Sequence, residues 1–124
     1  MVCGRGERQL VSKVAPWQVW LLDLSDPVGS EQAGRRPAVI VASELHCRFP
    51  IGMTLVVPLT TRSRRLPHHV PVRSAESGLP TDSYARTEDV RAVSTDRLVG
   101  DAPLGTLSAD EQRELRRWLR RMLV

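Results

Sequence analysis

Two apolar runs, PAVIVAS at residues 37–43 and MTLVVPLT at residues 53–60, decide how this chain folds. Both runs are short and rich in β-branched residues, so each predicts a buried strand. Pro37 opens the first run, where a proline costs no internal ladder hydrogen bond. A third run, QVWLLDL at residues 18–24, is apolar on nearly both faces and predicts the first strand of the core.

Outward from these runs, the sequence predicts weaker strands at residues 69–72 and 89–93 and one helix near the C-terminus. Pro71 cannot donate to a central ladder, which places its strand at an edge or a bulge. Ser108 and Glu111 form a capping-box pattern, and apolar residues recur at helical spacing from Leu115 to Leu123. We therefore expect a mainly β fold, a strongly bent antiparallel sheet or barrel that an amphipathic C-terminal helix covers.

Length and composition predict one soluble domain. The chain has 124 residues, of which 41% are hydrophobic and 26% are charged. We expect a polar leader or extension at residues 1–15 and the folded domain at residues 16–124. Without a long apolar run or a signal-peptide pattern, the chain is expected to be cytoplasmic and to have no membrane partner. Cys3 and Cys47 are expected to be free thiols.

The charge balance favours an anionic partner. The formal net charge is +4 and the sequence pI is near 10.0. Of the 18 Lys and Arg residues, Lys13 is the single lysine, so the basic residues are almost all arginine. Arginine makes planar, bidentate contacts with phosphate, which suits a nucleic-acid partner.

Several segments closely resemble the MazF/PemK toxin family, namely WLLDL at residues 20–24, GSEQAGRRPAVIV at residues 29–41, VPLTT at residues 57–61 and EDVRAV at residues 88–93. They occur in the family's order across about residues 17–123. The resemblance implies the SH3-like barrel of MazF, Kid and CcdB toxins and a homodimer.

The resemblance also implies a type II toxin–antitoxin function. Such a toxin is a sequence-specific endoribonuclease that cuts single-stranded RNA, either mRNA or loops of tRNA or rRNA, and thereby inhibits translation and growth. The expected products carry a 2′,3′-cyclic phosphate and a 5′-hydroxyl, with no metal ion or other cofactor. A cognate acidic antitoxin is the expected inhibitor.

By the same resemblance, Arg36, Thr60 and Glu31 are the candidate catalytic residues. Cleavage passes through a phosphorane whose negative charge needs fixed donors, and Arg36 matches the family's catalytic arginine. A guanidinium stays protonated, so charge stabilisation suits it better than proton donation, and the general acid is left open. The Thr60 hydroxyl can bind a phosphate oxygen, and Glu31 is a candidate base for the 2′-hydroxyl.

A second group of residues is expected to contact RNA: Ser30, Gln32, Thr61, Arg62, Arg64, Arg65 and Arg97. Two alternatives remain open, a CcdB-like gyrase poison and a non-catalytic SH3-like binding module. We expect no metal site, because His46 and Cys47 lack further ligands. His68 and His69 are adjacent, so on a strand they are expected to point to opposite faces. Phe49 and Tyr84 are expected in the core.

Overall fold

The computed structural model describes residues 13–24 and 34–124 and shows a chain built mainly of short strands. The strands are β1 (Gln18–Asp23), β2 (Arg35–Ile40), β3 (Met53–Thr60), β4 (His69–Val72), β5 (Ser83–Arg86), β6 (Arg91–Ser94) and β7 (Gly105–Thr106), and the helices are α1 (Glu44–Cys47) and α2 (Ala109–Met122). Short 3-10 helices occupy Ala75–Ser77, Thr87–Asp89 and Thr95–Arg97.

The sheet is antiparallel and runs in the order β4-β5-β3-β2-β1-β7, while β6 also pairs with β3. The long strand β3 makes the sheet bend. Its first half, from Met53 to Val56, pairs with β6, whereas its last residues, Leu59 and Thr60, pair with β5. The sheet therefore curls into a half-barrel, which confirms the predicted mainly β fold with a C-terminal helix. Strand β4, which carries Pro71, lies at the edge as predicted.

Alternate residues of the central strands enter two different cores. Trp20 on β1 and Val56 on β3 belong to the first core, and Trp20 is the largest fully buried side chain of the described residues. Their neighbours Val19 and Val57 belong to the second core, which Leu115 of α2 completes. Because successive side chains of a strand point to opposite faces, a strand between two cores must be apolar on both. This requirement explains the nearly continuous apolar runs.

Helix α2 is tied to the sheet by the carboxylate of Glu111. Ser108 and Glu111 form the predicted capping box, in which each side chain accepts the other residue's backbone N–H. The same carboxylate also accepts the backbone N–H groups of Arg73 and Ser74, at 2.8 and 2.9 Å, and the Ser74 hydroxyl at 2.6 Å. One side chain thus caps the helix and joins it to the segment after β4.

Some local features differ from the sequence-based prediction. Strand β2 begins at Arg35 rather than Pro37, so Arg36 lies inside the strand. Helix α1 and strands β5 and β7 were not predicted. The prediction that Phe49 lies in the core is wrong, because its side chain is 48% exposed. Along the described residues, no helix is long and apolar enough to cross a membrane.

Candidate active site

Arg36 and Thr60 lie on neighbouring strands near one end of the sheet. Ala38 of β2 pairs with Pro58 of β3, and Arg36 and Thr60 each lie two residues beyond this last pair, towards the same end of the sheet. Residues directly opposite each other in an antiparallel pair project from the same face. The strand register therefore brings together two residues that are 24 positions apart in the sequence.

A cavity of about 290 Å³ opens at this place, and most of its lining is polar. Its walls come from the ends of β2, β3 and β5 and from the loop after β3: Arg36, Pro58, Leu59, Thr60, Thr61, Arg62, Arg64 and Arg86. Among the residues that the structure describes, the lining holds four arginines and no carboxylate. A concave surface lined by charges of one sign concentrates the field and attracts the opposite charge. The cavity is therefore built to bind an anion.

The Thr60 hydroxyl is oriented by the backbone that follows it. Its oxygen accepts a hydrogen bond from the Arg62 backbone N–H at 3.2 Å. A hydroxyl that accepts this bond still has its proton to donate. Thr60 can thus offer a hydrogen bond to a phosphate oxygen in the cavity while the turn holds the side chain in place.

The Arg36 guanidinium is available to a ligand. Its side chain is exposed, and within residues 13–24 and 34–124 it has neither an ion-pair partner nor a hydrogen-bond acceptor. Its backbone, by contrast, is fixed in a strand that pairs on both sides, with β1 and with β3. A rigid backbone with an uncommitted cationic group suits an electrostatic catalyst, because a preorganised donor costs little reorganisation during the reaction.

Arg86 is a cavity residue that the sequence analysis missed. It ends β5, and its guanidinium lies 3.5 Å from the Glu88 carboxylate and 3.7 Å from that of Asp89. Asp89 is also bound by Arg91 at 2.6 Å. The four residues of β5, SYAR, form no clear strand pattern in the sequence; the pairing of Leu59 with Ala85 is what places Arg86 near the site.

Glu88 connects Arg86 to two histidines. Both His68 Nε2 and His69 Nε2 approach the same oxygen of Glu88, at 3.3 and 3.0 Å. Burial raises the pKa of Glu88, but a hydrogen bond from its own backbone N–H, the hydrogen bond and charge of His69 and the charge of Arg86 outweigh burial. The pKa therefore lies below its ordinary value. An ionised carboxylate only accepts hydrogen bonds, so His69 Nε2 donates to it.

The prediction that His68 and His69 point to opposite faces is wrong. The two rings meet edge to face, with centroids 4.8 Å apart. The alternation of side chains holds only inside a strand, and β4 begins at His69, so His68 belongs to the preceding turn.

The other predicted contact residues are distributed as follows. Thr61, Arg62 and Arg64 line the cavity with Arg36 and Thr60. Arg65 does not; it follows Arg64 in the loop with a left-handed φ of 57°. Arg97 also lies outside the lining, and its guanidinium donates to the Asp23 carbonyl at 3.1 Å. The predicted residues Ser30, Glu31 and Gln32 lie outside the described residues.

A larger cavity, of about 600 Å³, lies between the segment before β1 and helix α2. Its lining is mostly apolar and includes Trp17, Val41 and Leu119, and Arg116 stacks over the Trp17 ring at 5.3 Å. The larger cavity contains neither Arg36 nor Thr60. Its size alone does not make it the reactive site, and we place the candidate active site in the smaller cavity.

Comparison with known proteins identifies the family. The model of PemK-like, MazF-like toxins of type II toxin–antitoxin systems matches residues 15–123, so the chain belongs to this family. Endoribonuclease MazF9 of Mycobacterium tuberculosis is 33% identical over 103 residues, which cover 79% of this chain and 86% of the relative. The endoribonuclease toxin MazF of Escherichia coli is 34% identical over 93 residues, which cover 75% and 78%.

Solved structures share the fold. MazF in a MazE–MazF crystal structure from Deinococcus radiodurans matches with a TM-score of 0.71 at 22% identity, covering 88% of this chain and 94% of that chain. A mycobacterial endoribonuclease in complex with its cognate antitoxin matches with a TM-score of 0.70 at 19% identity, covering 88% and 93%. The predicted MazF-type architecture is therefore confirmed.

Proposed function

We propose that this chain is an endoribonuclease toxin of its family, which cuts single-stranded RNA in the cavity between β2, β3 and β5. The observation that carries the proposal is the placement of Arg36 and Thr60 together in a cavity whose described lining includes four arginines. Family membership and relatives named as endoribonucleases support the same activity. The single-stranded phosphodiester backbone supplies the anion that this lining favours.

The proposed chemistry is attack by the ribose 2′-hydroxyl on the adjacent phosphate. The O2′–P bond forms, the P–O5′ bond breaks, and the products carry a 2′,3′-cyclic phosphate and a 5′-hydroxyl. Arg36 stabilises the charge that develops on the non-bridging oxygens, and the Thr60 hydroxyl donates a hydrogen bond to one of them. Glu31 remains the proposed base for the 2′-hydroxyl proton, which leaves the oxygen as it attacks. The leaving O5′ takes up a proton from solvent or from a general acid.

RNA binding is proposed to extend from the reacting phosphate along the loop after β3. Thr61, Arg62 and Arg64 lie on that loop, and Arg86 enters the cavity from β5. We propose that these groups bind neighbouring phosphates and bases, which makes cleavage sequence-specific. Ser30, Gln32, Arg65 and Arg97 remain predicted RNA contacts.

The test of this function is cleavage of end-labelled single-stranded RNA by the full chain in excess chelator. We expect cutting at defined sequences, with 2′,3′-cyclic phosphate and 5′-hydroxyl ends, and we expect it without a metal ion because the proposed mechanism assigns charge stabilisation to Arg36 and Thr60. A CcdB-like gyrase poison and a non-catalytic SH3-like module would both leave the RNA intact. An absolute requirement for magnesium would contradict the mechanism.

A cognate antitoxin is the proposed inhibitor. The Deinococcus radiodurans and mycobacterial relatives were solved with such partners. We propose that an acidic antitoxin tail occupies the same cavity as RNA, because Arg36, Arg62 and Arg64 attract carboxylates and phosphates alike. A tail that orders on binding offsets its lost conformational freedom by such contacts.

The antitoxin and RNA are expected to compete. In a titration of the acidic tail against toxin saturated with a non-cleavable RNA, the apparent dissociation constant of the tail should rise in proportion to the RNA concentration. Both affinities should also fall as salt rises, since exposed charges are screened beyond about 8 to 10 Å at physiological ionic strength. Simultaneous binding of both ligands without loss of affinity would place the antitoxin at another site.

We also propose that the protein is a cytoplasmic homodimer. Four large apolar side chains within nine residues of sequence are well exposed in the single chain: Leu45, Phe49, Ile51 and Met53. Clustered exposed apolar groups are typical of interfaces. A cytoplasmic location gives the enzyme access to cellular RNA.

A further inference from the structure

We propose that His68, His69 and Glu88 form a binding site for one divalent transition-metal ion, with zinc as the ion that fits best. The cluster lies outside the lining of the candidate active site and has no assigned part in RNA cleavage. Within the described part of the chain, these three side chains come together so that their potential ligand atoms all lie within 4.8 Å of one another. The proposal does not depend on the RNA-cleaving function.

The distances suit a tetrahedral ion. At metal–ligand distances of about 2.0 to 2.1 Å, two ligands of a tetrahedral zinc are separated by about 3.3 to 3.4 Å. In the structure, His68 Nε2 lies 3.3 Å from Glu88 Oε1, and His69 Nε2 lies 3.0 and 3.2 Å from the two oxygens of that carboxylate. Two edges of the required tetrahedron therefore already have nearly the right length. The third edge joins the two histidine nitrogens, which lie within 4.8 Å of each other, and rotation of the side chains must bring it to about 3.3 Å when the ion binds.

Each ligand is held by an ordered element. His69 begins β4, pairs with Arg86 in the β4–β5 ladder, and has a side chain that is 2% exposed. The carbonyl of His68 accepts a hydrogen bond from the Thr87 hydroxyl at 2.6 Å. Glu88 lies in the middle of the 3-10 helix Thr87–Asp89. Ligands on fixed backbone lose little freedom when they bind, which favours a preorganised site.

The chemistry of the ligands selects the class of ion. Two imidazole nitrogens and one carboxylate suit zinc and similar ions, whereas calcium and magnesium prefer oxygen ligands alone. The side chains of His68 and Glu88 are 23% and 36% exposed, so solvent reaches one side of the cluster. A bound zinc would therefore have three protein ligands and a water molecule in the fourth position.

Two features limit the affinity. A zinc-bound His69 must move its proton from Nε2 to Nδ1, and this buried atom has no hydrogen-bond partner among the described residues. Missing outer partners typically weaken metal sites by about 10- to 100-fold. Arg86, at 3.5 Å from the carboxylate, also competes for Glu88. We therefore expect binding of one zinc per chain, about 10- to 100-fold weaker than at a three-ligand site with fully supported histidines.

The experiment is calorimetric titration of the full, untagged chain with zinc chloride, repeated with cobalt(II), whose visible absorption reports four-coordination. The test variants are His68→Ala and Glu88→Gln, and the matched control is His46→Ala, which removes the chain's third histidine outside the cluster. All proteins carry Cys3→Ser, which removes a thiol that could bind zinc independently. Circular dichroism establishes that each variant is folded.

We expect one zinc per chain, a loss of at least about tenfold in affinity in either test variant, and unchanged binding in His46→Ala. Glu88→Gln keeps the shape of the side chain and decides the outcome if His68→Ala fails to fold. The proposal is overturned if zinc does not bind, if both folded test variants bind as before, or if His46→Ala loses binding equally. None of these readouts uses RNA, so a failure here leaves the proposed nuclease function untouched.

Discussion

Replacing Arg36 by alanine is expected to lower the rate of RNA cleavage by about 10²- to 10³-fold, as loss of one preorganised charge stabiliser does in other enzymes. Arg36 is the cavity arginine that extends from the strand next to Thr60. Its removal leaves the developing phosphorane charge without its nearest fixed cation. Single-turnover cleavage of labelled RNA measures the effect, because it separates the chemical step from product release.

The matched control is Arg35→Ala. Arg35 has the same charge, is also exposed and lies on the same strand, but alternation directs it to the opposite face, and it does not line the cavity. We expect this variant to cleave RNA at close to the wild-type rate. Arg36→Lys tests geometry, since lysine keeps the charge but loses the planar, bidentate contact. A folded Arg36→Ala variant with wild-type turnover would remove Arg36 from the mechanism.

Truncation of Glu111 is expected to destabilise the fold strongly for a polar residue, by about 2 to 4 kcal/mol for Glu111→Ala. The carboxylate accepts backbone hydrogen bonds from Arg73, Ser74 and Ser108 and one from the Ser74 hydroxyl. Its loss leaves these donors without their charged acceptor and removes half of the capping box. Urea unfolding measures the difference, and Asp110→Ala, on the same helix with Arg113 as an exposed partner, should change stability by less than about 1 kcal/mol.

The contribution of Glu111 should also depend on pH. Burial raises the pKa of Glu111, but hydrogen bonds from the Ser74 hydroxyl and from the backbone of Ser108, Arg73 and Ser74 outweigh burial and lower the pKa below its ordinary value. A carboxylate with a lowered pKa stabilises the fold fully above its unfolded pKa, which is about 4.3 for glutamate. That stabilisation is lost as the pH falls through the folded value.

The comparison variant for this pH effect is Glu111→Gln, which has no charge at any pH. The stability gap between wild type and this variant should be constant from neutral pH down to about pH 5 and should shrink below it. Unfolding curves at about pH 7 and about pH 3 give the two values. A gap that stays the same or widens in acid would show that the charge on Glu111 does not stabilise the fold.

The parts of the fold that the sequence predicted are those with a strong local signal. Strand β3 has the predicted bounds, because a long apolar run leaves few alternatives. Helix α2 begins at Ala109, directly after Ser108, the N-cap residue of the predicted capping box. The family resemblance supplied Arg36 and Thr60, and the structure adds that a shared strand register brings them to one cavity.

The parts of the fold that were not predicted depend on contacts between residues that are distant in the sequence. Strand β5 is four residues long and has neither an apolar run nor a regular alternation, so its strand character comes from pairing with β3 and β4. Because β5 was not predicted, no sequence pattern placed Arg86 near the site. His68 and His69 meet because β4 begins between them, and a strand boundary is a detail that a local pattern predicts poorly.

Strand β3 ends at Thr60, and Arg62 and Arg64 follow within four positions, in a loop without regular structure. Thr60, whose hydroxyl is proposed to act on the phosphate, therefore belongs to the sheet. Arg62 and Arg64 belong to a segment that forms no ladder with another strand. Residues in the loop after Thr60 form no ladder hydrogen bonds, so substitutions there leave the sheet intact. Substitutions within β3 disturb the two hydrophobic cores. We expect the sequence of this loop, and with it the RNA sequence that is cut, to vary quickly among relatives, while the catalytic residues stay the same. Grafting residues 61–68 between relatives should then transfer cleavage preference without loss of turnover.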